Sequence, residues 1–111
     1  MASKRFAVRL TLSARQDLDS IHDYLMEHGS PATADDFLGT VLDKIASLER
    51  YPRRGPIPAE VETLGVREIR QVLVGTYRLI YRVRASTVSI IAVADGRRNM
   101  QTFLEKRLLG R

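Results

Sequence analysis

Apolar and polar side chains alternate from Arg5 to Thr11, where Phe6, Val8 and Leu10 interleave with Arg5, Ala7 and Arg9. A period of two predicts a half-buried strand. The period then changes. Ala14, Leu18, Ile21 and Leu25 recur at helical spacing, as on the buried stripe of an amphipathic helix. Ser13 is the expected N-cap, with Gln16 three residues on to complete a capping box, and Gly29 is the expected stop. Ser30-Pro31 starts a second helix, because serine caps and proline suits the first helical position. Its apolar stripe is Ala34, Leu38, Val41, Ile45 and Leu48, widened by Phe37 and Leu42. It ends at Tyr51-Pro52, since the residue before proline is pushed out of the helical region. Two helices joined so briefly form an antiparallel hairpin.

Residues 52–65, with Pro52, Gly55, Pro56, Pro58 and Gly65, read as the one long loop. Loops of this length are often functional. Three strands are expected next, Arg67 to Val74, Tyr77 to Arg84 and Thr87 to Ala94. Their two-residue connections, Gly75-Thr76 and Ala85-Ser86, force neighbouring antiparallel pairing. Asp95-Gly96 breaks the last strand, and Asn99 to Leu109 reads as a closing helix with Met100, Phe103, Leu104 and Leu108 on one side. The order is β-α-α-β-β-β-α. It predicts one α+β domain over residues 1–111, with the helical hairpin packed on one face of a mostly antiparallel four-stranded sheet. The first strand must join that sheet, because a lone strand is not stable in water.

Charge changes the picture. The chain has 111 residues and a formal net charge of +5. Residues 1–51 carry six Lys and Arg against eight Asp and Glu, whereas residues 52–111 carry twelve against five. A basic half suits a polyanion or an acidic partner. The strand Tyr77 to Arg84 gives that charge a direction. Leu79, Tyr81 and Val83 fall on one face with Tyr77, suited to burial against the hairpin. Arg78, Ile80, Arg82 and Arg84 fall on the other, with alternate side chains about 7 Å apart. Arg67 and Arg70 on the preceding strand and Arg97-Arg98 after the following one extend the expected binding surface. Arg67 and Arg70 cannot both face it, because their spacing is odd. Arginine suits phosphate or carboxylate through its planar fork. The competing expectation is internal pairing of Arg78 or Arg82 with Glu68, Asp95 or Glu105.

Other chemistry is sparse. The absence of cysteine excludes disulfides, thiolate metal sites and thiol catalysis. It fits a cytoplasmic protein, as does the lack of an apolar signal region in Met1 to Arg9. No apolar run approaches the ~18 residues of a membrane span. Asp17, Asp19, Asp23, Asp35 and Asp36 read as helix-surface acids near N-termini, where the macrodipole favours them. His22 and His28 lie on the first helix and read as surface residues. No His/carboxylate set has metal-ligand spacing, no glycine-rich phosphate loop is present, and no cofactor is expected.

Four stretches resemble the RelE/ParE superfamily of toxins. Leu12-Ser-Ala-Arg-Gln-Asp-Leu-Asp-Ser-Ile-His-Asp-Tyr24 is similar to its first helix. Tyr51-Pro52, Gly55 and Gly75-Thr-Tyr-Arg-Leu-Ile-Tyr-Arg-Val83 are similar to its mid-chain pattern, and Val93-Ala-Asp-Gly-Arg-Arg98 to its last-strand exit. The resemblance implies the α+β fold derived above and a cognate antitoxin that wraps the toxin with a helix and an extended segment. DNA contact is then expected only indirectly, through the antitoxin. The expected antitoxin-binding residues are Leu18, Ile21, Leu25, Phe37 and Val41 on the hairpin.

The superfamily divides by target. RelE-like members cleave mRNA on the ribosome, using basic groups to stabilise phosphate charge and a tail Tyr or His for proton transfer. Here Arg78 stands in the place of a family catalytic arginine, and Arg98 or Arg97 could stand for another. Phe103 lies where the tail tyrosine would be and transfers no proton. ParE-like members bind DNA gyrase and have no established catalytic residues. The long hairpin and the missing tail base favour the ParE-like reading. A ribosome-dependent mRNA endonuclease is the alternative, followed by an inactive antitoxin-binding or nucleic-acid-binding module.

Overall fold

The computed structural model describes residues 5–66 and 68–110. Its elements are β1 (Ala7–Leu10), α1 (Leu12–His28), α2 (Pro31–Arg50), α3 (Ala59–Glu62), β2 (Ile69–Val74), β3 (Tyr77–Arg84), β4 (Thr87–Asp95) and α4 (Met100–Leu109). The four strands form one sheet in the order β1-β4-β3-β2. The meander is antiparallel, and β1 pairs parallel to β4 with Ala7 opposite Thr87. The expected element order holds, with one addition: α3 lies inside the segment read as a loop.

Local chemistry explains the boundaries. Thr11, rather than Ser13, caps α1: its hydroxyl accepts from the Ala14 N–H at 3.1 Å. The Thr11 N–H bonds the Ile90 carbonyl, so the end of β1 pins the start of the helix. Ser30 caps α2 by accepting from the Thr33 N–H, with Pro31 in the first turn as expected. Along α2, Ala34, Val41 and Leu48 are fully buried, whereas Leu38 and Leu42 are exposed. The seam against the sheet is therefore narrower than the sequence stripe.

Two apolar layers enclose the sheet. The first joins Ala14, Val41 and Leu48 of the hairpin to Val72, Val74, Leu79, Tyr81, Val83, Val88, Ile90 and Val93. The second joins Val61 of α3 and Met100, Phe103 and Leu104 of α4 to Ile69, Ile80, Ile91, Ala92 and Ala94. Helices thus cover both faces, where the sequence reading placed them on one. A register shift adds to the second layer. Ile80 pairs with Ala92 while Tyr81 pairs with Ile90, so Ile91 is an extra residue on β4. The bulge turns Ile91 and Ala92 together into the second layer.

The loop after α2 is fastened to the sheet. The Gly55 N–H donates to the Tyr81 hydroxyl at 3.2 Å, and Gln71 N–H donates to the Pro56 carbonyl at 3.0 Å. Tyr81 is fully buried, and a buried phenol needs such a partner.

Candidate functional site

The arginines of the second half do not form one open surface. Arg78 leaves β3 under α3, where its Nη1 and Nη2 donate to the two Glu60 carboxylate oxygens at 2.9 and 2.8 Å. Its Nε donates to Gln71 Oε1 at 2.6 Å, and the side chain is only 12% exposed. This is a bidentate, charge-assisted pair. Internal pairing was the competing expectation for Arg78, but the acid is Glu60 rather than Glu68, Asp95 or Glu105. Next along the strand, Ile80 is fully buried under α4. Arg82 is half-buried, and its Nε has no hydrogen-bond partner among the described residues. Arg84 pairs with Glu68 at the exposed end of β3.

The remaining members of the expected surface scatter. Arg70 pairs in register with Tyr81, which puts it on the hairpin side. There its Nη1 donates to the Gly55 carbonyl at 2.8 Å and holds the loop. Arg97 is 81% exposed and clamps Asp95. Arg97 and its hydrogen bonds hold the Asp95 carboxyl down at about 2. Arg98 lies over the Phe103 ring, 4.3 Å from its centroid. Arg67 lies outside the described residues.

Sequence reasoning missed one constellation. Asp17 is not a free helix-surface acid. Its Oδ2 accepts from the Val93 N–H at 3.0 Å and from Arg107 Nη1 at 2.8 Å, and its Oδ1 accepts from Arg107 Nη2 at 3.0 Å. Arg107 Nη1 also donates to the Ile91 carbonyl at 2.8 Å. β1 pairs with β4 only as far as Leu10 opposite Ile90. Beyond that point, Asp17 and Arg107 satisfy the strand's open edge at the bulge. Of the histidines, His28 stacks on Tyr24, and His22 lies 3.6 Å from the Asp35 carboxylate.

The expected antitoxin contacts divide by burial. Val41 is fully buried, and Leu18, Ile21 and Phe37 pack half-buried against the same cluster. Leu25 and Phe37 line an apolar cleft of about 300 Å³ with Thr33, Thr40, Val74, Gly75 and Tyr77. A second cleft, about 390 Å³, brings Tyr24 and Tyr77 together with Asp95 and Arg98. Burial and the nearby Asp95 charge push the Tyr77 hydroxyl above its usual 10.0, which makes it a poorer proton donor and keeps it from ionising to act as a base.

The Arg78–Glu60 pair carries a pH signature. The hydrogen bond from Arg78 holds the Glu60 carboxyl below its ordinary value of 4.5. A depressed carboxyl stabilises the fold above its unfolded value, and that contribution is lost as pH falls through the folded value. Stability is therefore expected to decline on acidification below about pH 4.5. Asp95 titrates low as well, so Glu60→Gln should flatten part of that decline while lowering stability at neutral pH. Urea midpoints of both proteins across this range are the check. Parallel curves would remove Glu60 as a contributor.

Among the described residues no group of three or more His, Cys, Asp or Glu could hold a metal ion, and no helix is long and apolar enough to cross a membrane. The chain thus presents a helical hairpin on a meander with a parallel outer strand, in which Arg70, Arg78, Arg84, Arg97 and Arg107 are tied to acids or carbonyls. A chain from the chromosomal ParDE toxin–antitoxin system of P. aeruginosa is similar with a TM-score of 0.68 and 19% identity, over 84% of this chain and 98% of that one. A chain from the toxin–antitoxin complex RelBE2 of Mycobacterium tuberculosis is similar with a TM-score of 0.56 and 26% identity, over 82% of this chain and 98% of that one. No curated relative matches. The model of the ParE toxin of the type II toxin–antitoxin system parDE matches residues 8–100, and the chain belongs to that family.

Proposed function

We propose that this toxin acts by binding and inhibiting DNA gyrase, and that a cognate antitoxin neutralises it. The observation that carries the reading is the state of Arg78. A nuclease needs an arginine free to meet the developing phosphate charge and an acid–base group beside it. Here Arg78 is spent on Glu60 and Gln71, and Phe103 sits in the tail position under the Arg98 and Arg107 guanidiniums. Such an arrangement supports binding over phosphoryl transfer. A ribosome-dependent nuclease is the second reading, favoured by the cleft that joins Arg98 to Tyr24 and Tyr77. The raised Tyr77 hydroxyl weighs against it.

For the antitoxin, the apolar cleft at Leu25 and Phe37 suits a short amphipathic helix. Exposed Tyr24 and Leu38 are further apolar contacts on the same hairpin. β2 is an outer strand of the sheet with Leu73 59% exposed, which suits addition of an extended segment. Val41 is a core residue, so its truncation should lower stability rather than affinity alone.

Purified toxin in stoichiometric excess should block gyrase supercoiling or trap cleaved DNA, and equimolar antitoxin should restore activity. Unchanged supercoiling, together with codon-site cuts in ribosome-bound message that vanish in Arg78→Ala, would replace this reading with the nuclease.

A further inference from the structure

On the side of the molecule where α1 meets α4, Ser13, Arg98, Phe103, Lys106 and Arg107 line a mostly polar cleft of about 380 Å³. Arg98 and Arg107 rest on the same ring, 4.3 and 4.7 Å from the Phe103 centroid. Arg107 is already neutralised by Asp17. Arg98 and Lys106 form no ion pair among the described residues. In the neighbouring cleft that shares Arg98, Asp95 is occupied by Arg97. The cleft therefore gathers three cations, of which only Arg107 is paired with an acid. Crowded like charge at a concave surface focuses a positive potential that an anion relieves.

We propose that this cleft binds a phosphate of a nucleic-acid backbone, a direct contact that does not depend on which enzyme the toxin poisons. The chemistry of the lining selects phosphate. A guanidinium laid on an aromatic ring is held in place, and its planar fork of N–H donors matches phosphate oxygens. The Lys106 ammonium and the Ser13 hydroxyl add donors of the kind that position nucleic-acid backbones. An acidic protein segment is the weaker fit, because protein partners dock through apolar anchors in pockets. Phe103, the one large apolar side chain in this lining, is itself buried beneath the two guanidiniums.

The test is fluorescence anisotropy of full-length toxin with labelled duplex DNA, single-stranded DNA and RNA of equal length over a series of salt concentrations. Arg98→Ala/Lys106→Ala removes the two uncommitted cations and leaves the Asp17–Arg107 pair intact. Arg50→Ala/Arg53→Ala removes the same charge from exposed positions elsewhere. The cleft variant should bind at least about tenfold more weakly, and the slope of log affinity against log salt should fall by about one per lost phosphate contact. The control variant should stay within about twofold. The proposal is overturned if both variants lose equally, since bulk charge then explains binding. It is also overturned if the wild type binds none of the three at low salt. Retained oligonucleotide binding with lost binding to poly-glutamate would reassign the cleft to an acidic protein.

Discussion

Gly55→Ala should destabilise this toxin by about 3 kcal/mol, as overpacking against a lost hydrogen bond. The position does not need an unusual backbone. It needs space: a Cβ there would collide with the Gln71 carbonyl and stand 3.0 Å from the Tyr81 hydroxyl. The same residue donates to that hydroxyl and accepts from Arg70. Moving it away to make room would leave a fully buried phenol without this partner and release the loop from β2. A fall of this size corresponds to a drop in Tm of roughly 12 °C or more for a domain near one hundred residues. Gly39→Ala is the matched control. Gly39 lies in α2 with nothing within 4 Å of the added carbon, so alanine there should stabilise by about 0.5–1 kcal/mol through helix propensity. Thermal melts of the two variants should move in opposite directions. Equal shifts would refute the steric account.

The second large effect is expected at the open edge of β4. Asp17→Ala would strand Arg107 and leave the Val93 N–H unpaired. Removing one member of a buried pair typically costs 3–5 kcal/mol. Asp17 and Arg107 keep 17% and 24% of their side-chain surface, which places the expected loss near about 3 kcal/mol. Arg107→Met should cost less, about 2 kcal/mol, because the Asp17 bond to Val93 survives. Combining the two should show a coupling above about 1 kcal/mol, the sign of direct contact. Amide exchange gives the readout that a general loss of packing would not: the Val93 amide should lose protection in Asp17→Ala and keep it in Arg107→Met. Additive effects with an unchanged Val93 amide would dissolve the clamp.

The parts legible in the sequence were those set by short-range chemistry. β3 runs from Tyr77 to Arg84 as its alternation and flanking turns require, and Ser30-Pro31 and Tyr51-Pro52 bound α2. The second apolar layer was written there too. Ile90 to Ala94 is an unalternating apolar run, the mark of a strand covered on both faces. Together with Met100, Phe103 and Leu104 it implies a helix over the supposed arginine face. Ile80 between Arg78 and Arg82 carried the same message. What could not be read was pairing across distance. Glu60 meets Arg78 from 18 residues away, and Asp17 meets Arg107 from 90. No periodicity marks either partner. The Ile91 bulge was equally hidden, because an extra residue in an apolar run leaves no break in the pattern. Sequence reasoning named Arg98 but not Ser13, Lys106 or Arg107, which line the same cleft.

The parallel pairing of β1 with β4, and the clamp beside it, also set a timetable for synthesis. Val93 bonds a residue made 76 positions earlier, and Arg107 one made 90 positions earlier. At an elongation rate of roughly 5–20 residues per second, the first strand and helix wait about 4 to 18 s for those partners. During that interval β2 and β3 can already pair beside the two helices, whereas β1 has no strand partner until β4 is made. The α1–α4 cleft cannot form before Lys106 and Arg107 of α4 have emerged.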